Sequence, residues 1–252
     1  MKKWVGLSFV ISIVLTGCGS ASSSTEEIHV MAAASLTDAL GEIQELYEKE
    51  ENVKLVINYG SSGKLREQIT QGAPADLFLS ASIADMNDLE EEGDVNKSVN
   101  LLMNQLVFIS TPEAADTLHE WSDLVNEEIQ GIAMGQPESV PAGRYSLQAL
   151  ESLEMWDEVK DNVVYGSDVR QVLTYVETGN TDVGLVYQTD ALSSNKIEII
   201  DSAPEGSHDP IHYPIALLEA ASDNTAANQF YQYLQTEEPV GIFESYGFDQ
   251  GK

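Results

Sequence analysis

The chain has 252 residues, 42 of them acidic and 12 basic, which gives a formal charge of −30. That length accommodates one large domain or two α/β lobes of about a hundred residues each, and a hydrophobic content of 42% supports a folded core over disorder. The acidity excludes nucleic acid as a partner, because binding it requires a basic face that displaces counterions.

Residues 1–17 read as an export signal. Met1-Lys2-Lys3 is a positive start, and the apolar run Val5 to Leu15, about 11 residues, is too short for a bilayer core of ~30 Å. The run ends in Leu15-Thr16-Gly17-Cys18, and Cys18 is the only cysteine of the chain, so no intramolecular disulfide forms. This end is similar to the bacterial lipobox, which implies that Cys18 is lipidated and becomes the new N-terminus, anchoring the protein to the outer face of the cell membrane. Residues 18–27, rich in serine, then serve as a flexible tether.

Beyond the tether, apolar runs alternate with amphipathic ones, the pattern of an α/β protein. Strands are expected at Ile28–Met31, Val53–Tyr59, Asp76–Ser80 and Gln105–Ser110, with helices at Thr37–Lys49, Lys64–Gln71 and Ile83–Glu92. The middle third continues with strands at Gly131–Met134, Asn162–Tyr165, Val183–Tyr187 and Ile197–Ile200 and helices at Gly143–Leu153 and Val169–Thr178, plus a short helical segment at Trp121–Leu124. A strand at His212–Glu219 and helices at Ala226–Gln235 and Val240–Tyr246 close the chain. Two compact α/β sets without a disordered linker predict two lobes, 28–109 with 214–252 and 110–213, with a ligand cleft between them.

Two turns in the first lobe carry chemistry. Ala32-Ala33-Ala34-Ser35-Leu36-Thr37 and Tyr59-Gly60-Ser61-Ser62-Gly63 each follow a strand and lead into a helix. Such turns aim unpaired backbone N–H groups and a serine hydroxyl at one spot, where the helix dipole favours an anion. The pair predicts a pocket for a small oxyanion. The surface field of an acidic protein opposes that ligand, but at ~0.15 M salt the Debye length is roughly 8 Å and distant charge is screened. The acidity is therefore read as an adaptation to a salty or alkaline exterior.

These blocks, together with Gly72-Ala73-Pro74-Ala75-Asp76-Leu77-Phe78, Pro137-Glu138-Ser139-Val140-Pro141-Ala142-Gly143, Asp168-Val169-Arg170, Gly184-Leu185-Val186-Tyr187 and Tyr246-Gly247-Phe248, fall in one order along the chain. In that order, from Ile28 to Phe248, the chain resembles the ModA family, the extracytoplasmic molybdate-binding proteins of ABC transporters. The resemblance implies the two-lobed type II periplasmic-binding-protein fold, each lobe a mixed sheet flanked by helices. It implies capture of molybdate, and of tungstate, for delivery to a membrane permease by a monomer without catalytic activity or cofactor. It also implies the ligand donors: the hydroxyls of Ser35 and Ser62 with nearby main-chain N–H groups, the main-chain N–H of Ala142 and Val169, and the phenol of Tyr187.

Ligand chemistry supports that donor set. Molybdate at neutral pH is a dianion without protons, so its oxygens only accept hydrogen bonds. Serine, tyrosine and main-chain N–H donate without bringing a charge, whereas an inward carboxylate would meet a like charge and an unpaired acceptor. Hydrogen phosphate carries a proton that such a pocket leaves unpaired; sulfate has none and must be excluded by its smaller size. Small residues such as Ala34, Ala142 and Gly143 are expected to leave the wider cavity. Sulfate or another oxyanion is the alternative ligand for the same fold.

Other readings are weaker. Ser35 and Ser62 also suit plain helix N-caps, and Asp168 is expected to cap the helix that starts at Val169. Arg144 and Lys64 lie near the pocket, but the resemblance does not require their contact. Gly60-Ser61-Ser62-Gly63-Lys64 fails as a P-loop, because Asn58 replaces the first glycine and Leu65 the final Ser or Thr. His29, His119, His208 and His212 are not at metal-helix spacing, so no free metal cation is expected, and no nucleophile elbow supports hydrolysis.

Overall fold

A computed structural model describes residues 25–251; the export signal, Cys18 and most of the tether lie outside the described residues. The first half runs β1 (Glu26–Ala33), a 3₁₀ turn (Ala34–Leu36), α1 (Thr37–Glu50), β2 (Val53–Gly60), α2 (Ser62–Thr70), β3 (Leu77–Leu79), α3 (Ile83–Glu92) and β4 (Val95–Asn104). After Gln105 come β5 (Leu106–Ser110), α4 (Pro112–Ala115), β6 (Ile132–Gly135), α5 (Pro141–Ser152), α6 (Trp156–Val159), β7 (Val163–Gly166), α7 (Val169–Glu177), β8 (Val183–Tyr187), α8 (Gln188–Leu192) and β9 (Glu198–Ser202). The chain closes with β10 (Ile211–Leu218), α9 (Thr225–Tyr233), α10 (Glu237–Ser245) and β11 (Asp249–Gln250).

Local sequence sets these elements. α1 buries Ala39, Leu40, Ile43 and Tyr47, and α7 buries Val169, Val172, Leu173 and Val176, each a single stripe at helical spacing. α3 starts where the Ser82 hydroxyl accepts from the Asp85 N–H and stops at Gly93, whose φ of 82° suits glycine. β1 is buried on both faces. Ile28, Val30 and Ala32 pack towards Leu40 and Ile43, while Met31 joins Leu65, Phe78 and Met86 on the other side.

Two mixed sheets result, ordered β11-β4-β10-β3-β1-β2 and β7-β6-β8-β5-β9. In the first, β1 pairs parallel with β2 and β3 while β10 is antiparallel to β3 and β4. In the second, β6 pairs parallel with β7 and β8 while β5 is antiparallel to β8 and β9.

The division of the chain departs from the expected one at the first crossing. β5 belongs to the second sheet, so the chain crosses at Gln105 and not near Ser110, and residues 106–109 leave the first lobe. The return falls between β9 and β10, and β10 begins at Ile211, just before the expected boundary at 214. β1 also takes in Glu26 and Glu27 from the tether. β4 was not foreseen. Its polar and exposed Asn96, Lys97, Ser98 and Asn100 give no apolar run, and its pairing with β10 and β11 defines it instead.

Candidate functional site

The parallel strands of both sheets end facing each other, and the first turns after them meet in one place. Ala33 pairs with Gly60 at the ends of β1 and β2, and Gly135 with Gly166 at the ends of β6 and β7, so neighbouring turns start level. Between them lies a small, partly enclosed cavity. Ser35, Ser61, Ser62 and Ala81 line it from the first half of the molecule, and Ala142, Asp168, Val169 and Tyr187 from the second. The structure thus brings together all five residues expected to hold a ligand: Ser35, Ser62, Ala142, Val169 and Tyr187.

The serines are not helix caps. Ser62 is the first residue of α2; its Oγ accepts from the Ala81 N–H at 2.9 Å, which leaves its own proton to give. Ser35 sits in the 3₁₀ turn, with Oγ 2.8 Å from the Tyr213 hydroxyl. Ser61, which sequence reasoning passed over for its neighbour, occupies the N-cap position of α2 but makes no capping bond, and its buried Oγ has no partner. The signal for it was present: it is the other hydroxyl of the Gly60-Ser61-Ser62-Gly63 turn.

From the other side, α5 begins at Pro141 and α7 at Val169. The Ala142 and Val169 N–H groups therefore fall among those a helix start leaves without an intrahelical partner. Gly143 has a different role from the one expected. It does not line the cavity; a Cβ there would lie 1.9 Å from the Gly135 carbonyl oxygen, so its lack of a side chain lets α5 press onto the end of β6. Tyr187 ends β8, is 1% exposed, and its phenol oxygen has no partner. Burial pushes the ionisation of that phenol well above its ordinary value, so it stays a donor. Its ring meets Tyr213 edge-on at 5.8 Å, and Tyr213 meets Phe248 at 5.2 Å, which gives the terminal Tyr246-Gly247-Phe248 block a place as the prop behind the pocket.

Among the described residues, the charged side chains at the cavity are engaged with partners outside it. Asp168 lines it, but Oδ1 accepts from the Gln171 N–H at 2.9 Å, the cap expected for α7, and Oδ2 from the Ser167 hydroxyl at 3.2 Å. Arg144 reaches Ser82 and Asp85, and Lys64 donates to the Ser167 carbonyl oxygen at 3.3 Å. Gly63 gives its N–H to the Ser139 carbonyl oxygen at 3.1 Å, across the cleft and away from the cavity. Among the described residues no three His, Cys, Asp or Glu side chains are grouped to hold a metal ion, and no helix is long and apolar enough to cross a membrane.

The site has the form of an anion cradle made of neutral donors. Known proteins share the sequence and the fold. The chain is 46% identical over 94% of its length, and 93% of the other's, to YvgL of Bacillus subtilis (strain 168), provisionally named an ABC transporter substrate-binding lipoprotein. It is 35% identical to the molybdate-binding protein ModA of Escherichia coli (strain K12), covering 98% of both chains. The periplasmic molybdate-binding protein of Azotobacter vinelandii, at 22% identity, shares the fold with a TM-score of 0.81, covering 89% of this chain and 100% of that one. The family model of bacterial extracellular solute-binding proteins matches residues 28–249. The chain belongs to this family of two-lobed solute-binding proteins, with the ModA proteins among its relatives.

Proposed function

We propose that the protein captures molybdate, and tungstate, outside the cytoplasm and hands it to the permease of an ABC transporter. The observation that carries this reading is the cavity's lining. It presents the buried, unpartnered hydroxyls of Tyr187 and Ser61, the free proton of Ser62 and the helix-start N–H groups at Ala142 and Val169, with Asp168, Arg144 and Lys64 each bonded to other groups. A proton-free tetrahedral dianion satisfies such a set. Each hydrogen bond to an ionised group contributes about 1.5–3 kcal/mol, so several together reach affinities tighter than micromolar. ModA relatives of similar length, named for molybdate, support the choice of anion.

Capture works by closure: the first half offers Ser35 and Ser62, the second Ala142, Val169 and Tyr187, and the anion bridges them. No cofactor and no turnover are involved, and the monomer is the working unit. Lipidation at Cys18 would hold the protein at the outer face of the membrane, a reading the name of the Bacillus relative supports; a Cys18→Ala variant should then leave the membrane fraction. The deciding experiment is a thermal-shift screen against molybdate, tungstate, sulfate and phosphate. At a hundredfold excess over Kd the ligand adds roughly 2.7 kcal/mol to stability. Sulfate binding as tightly as molybdate would replace this ligand by the smaller anion.

A further inference from the structure

Ser35 stands out among the ligand candidates because its hydroxyl is already engaged. Its Oγ lies 2.8 Å from the Tyr213 hydroxyl, both groups are buried, and distance alone allows either to donate. The surroundings of Tyr213 decide the direction. Among the described residues, the Tyr213 phenol oxygen has two partners, Ser35 Oγ and Asn104 Nδ2 at 3.3 Å. Asn104 is held in one orientation: its Oδ1 accepts from the Gln105 N–H at 2.8 Å, and its Nδ2 also donates to Thr189 Oγ1 at 2.8 Å. It therefore offers Tyr213 only a proton. If Ser35 also donated to Tyr213, the buried phenol proton would have no acceptor, a costly arrangement. The phenol must donate to Ser35.

We propose that Tyr213, oriented by Asn104, is a specificity-determining positioning residue: by donating to Ser35 Oγ it commits the Ser35 proton to the ligand. The inference rests on the oxyanion-binding reading above and deepens it. A serine hydroxyl is by itself ambivalent, able to donate to a bare oxygen or to accept from a protonated one. With one of its two lone pairs taken by Tyr213 and its proton not spent there, Ser35 has that proton free for the ligand. The same logic recurs at Ser62, whose Oγ accepts from the Ala81 N–H. Both serines thus keep their protons for the ligand while a group behind each takes one of its two lone pairs, so an oxyanion that carries its own proton meets a reduced acceptor capacity. Burial keeps the Tyr213 phenol protonated well above its ordinary range, so the relay persists at every physiological pH.

The test is Tyr213→Phe, which keeps the ring packed against Tyr187 and Phe248 and removes the hydroxyl. Calorimetry at pH 7 with molybdate and with arsenate, a protonated tetrahedral oxyanion, reads the selectivity directly. Molybdate should bind several-fold more weakly, while arsenate weakens less or becomes newly measurable, so that their ratio falls by about tenfold. Asn104→Asp, which gives Tyr213 an acceptor and draws its proton away from Ser35, should move the ratio in the same direction and serves if Tyr213→Phe folds poorly. A ratio unchanged in both variants, with both anions weakened by one factor, overturns the relay and leaves Tyr213 a packing residue. Wild-type protein that binds no molybdate overturns the function reading itself, and the relay with it.

Discussion

Arg144 and Asp85 meet across the cleft, with guanidinium Nη2 3.4 Å from carboxylate Oδ2, while Nη1 donates to Ser82 Oγ at 3.1 Å. Arg144 stands on α5 beside the second sheet, whereas Ser82 and Asp85 belong to the start of α3 beside the first. On the opposite side of the cavity, Arg170 of α7 pairs with Asp38 of α1. Two arginines of one half thus hold carboxylates of the other, flanking the site without entering it.

These clasps exist only when the halves are together, so they stabilise the closed form and slow ligand release. Arg144→Met keeps much of the apolar stem and removes the contacts. Asp85 retains Arg66, at 3.4 Å, so no bare buried carboxylate remains. A partly exposed pair plus one charged hydrogen bond contributes about 1 kcal/mol, so the off-rate for molybdate should rise about fivefold with little change in the unliganded melting temperature. Stopped-flow release into a chelating competitor measures it; an unchanged off-rate would mean that the clasp does not contribute to closure.

Tyr187→Phe should separate function from stability. The phenol oxygen is buried without a partner, and such a group costs about 1–3 kcal/mol. Removing it should leave the unliganded protein as stable as the wild type or more so, while molybdate affinity drops by about tenfold or more through loss of one charged hydrogen bond. Melting curves with and without ligand check both parts. A clear loss of unliganded stability would show the hydroxyl to be a structural group.

At Gly63 the backbones of the two halves touch. A Cβ there would lie 2.7 Å from the Ser139 carbonyl oxygen and 2.9 Å from its Cα. Gly63→Ala therefore pushes backbone from backbone in the closed form, while in an open form the same change favours α2 by up to ~1 kcal/mol. Affinity should fall tenfold or more, and the unliganded melting temperature should hold or rise slightly. Small-angle scattering should show less compaction on adding molybdate than in the wild type; equal compaction would mean that the Gly63 contact does not limit closure.

The residues that made the site legible in sequence are those whose type follows from backbone geometry. Ser35 and Ser62 sit in small-residue turns between an apolar run and a helical pattern, and both turns appear where the pattern puts them. Tyr213, Asn104 and Asp190 were not legible. Tyr213 lies mid-strand in β10 and Asn104 at the end of the unforeseen β4, so their meeting with Ser35 is a product of sheet order, which local periodicity does not encode. The crossing at Gln105 was missed for a related reason. β5 is apolar throughout, and a fully buried strand carries no mark of which sheet it will join.

Asp190 gives a pH signature. It is fully buried at the start of α8, with Oδ1 3.0 Å from Arg170 Nε. Burial pushes its carboxyl up to about 7, against the pull of the Arg170 guanidinium and with Asp38 and Asp168 adding to the rise. The folded value lies above the unfolded value near 3.8, so between the two the native state holds a proton that the unfolded chain has released. Stability from this group is complete below the lower value and is lost as pH rises towards about 7. Asp190→Asn removes the titration, and Arg170 keeps Asp38 as a partner. Denaturant titrations across that window should find the stability of the wild type, minus that of the variant, falling as pH rises. A difference that is flat with pH would mean that Asp190 keeps an ordinary carboxyl, and one that rises would mean that the ion pair outweighs burial.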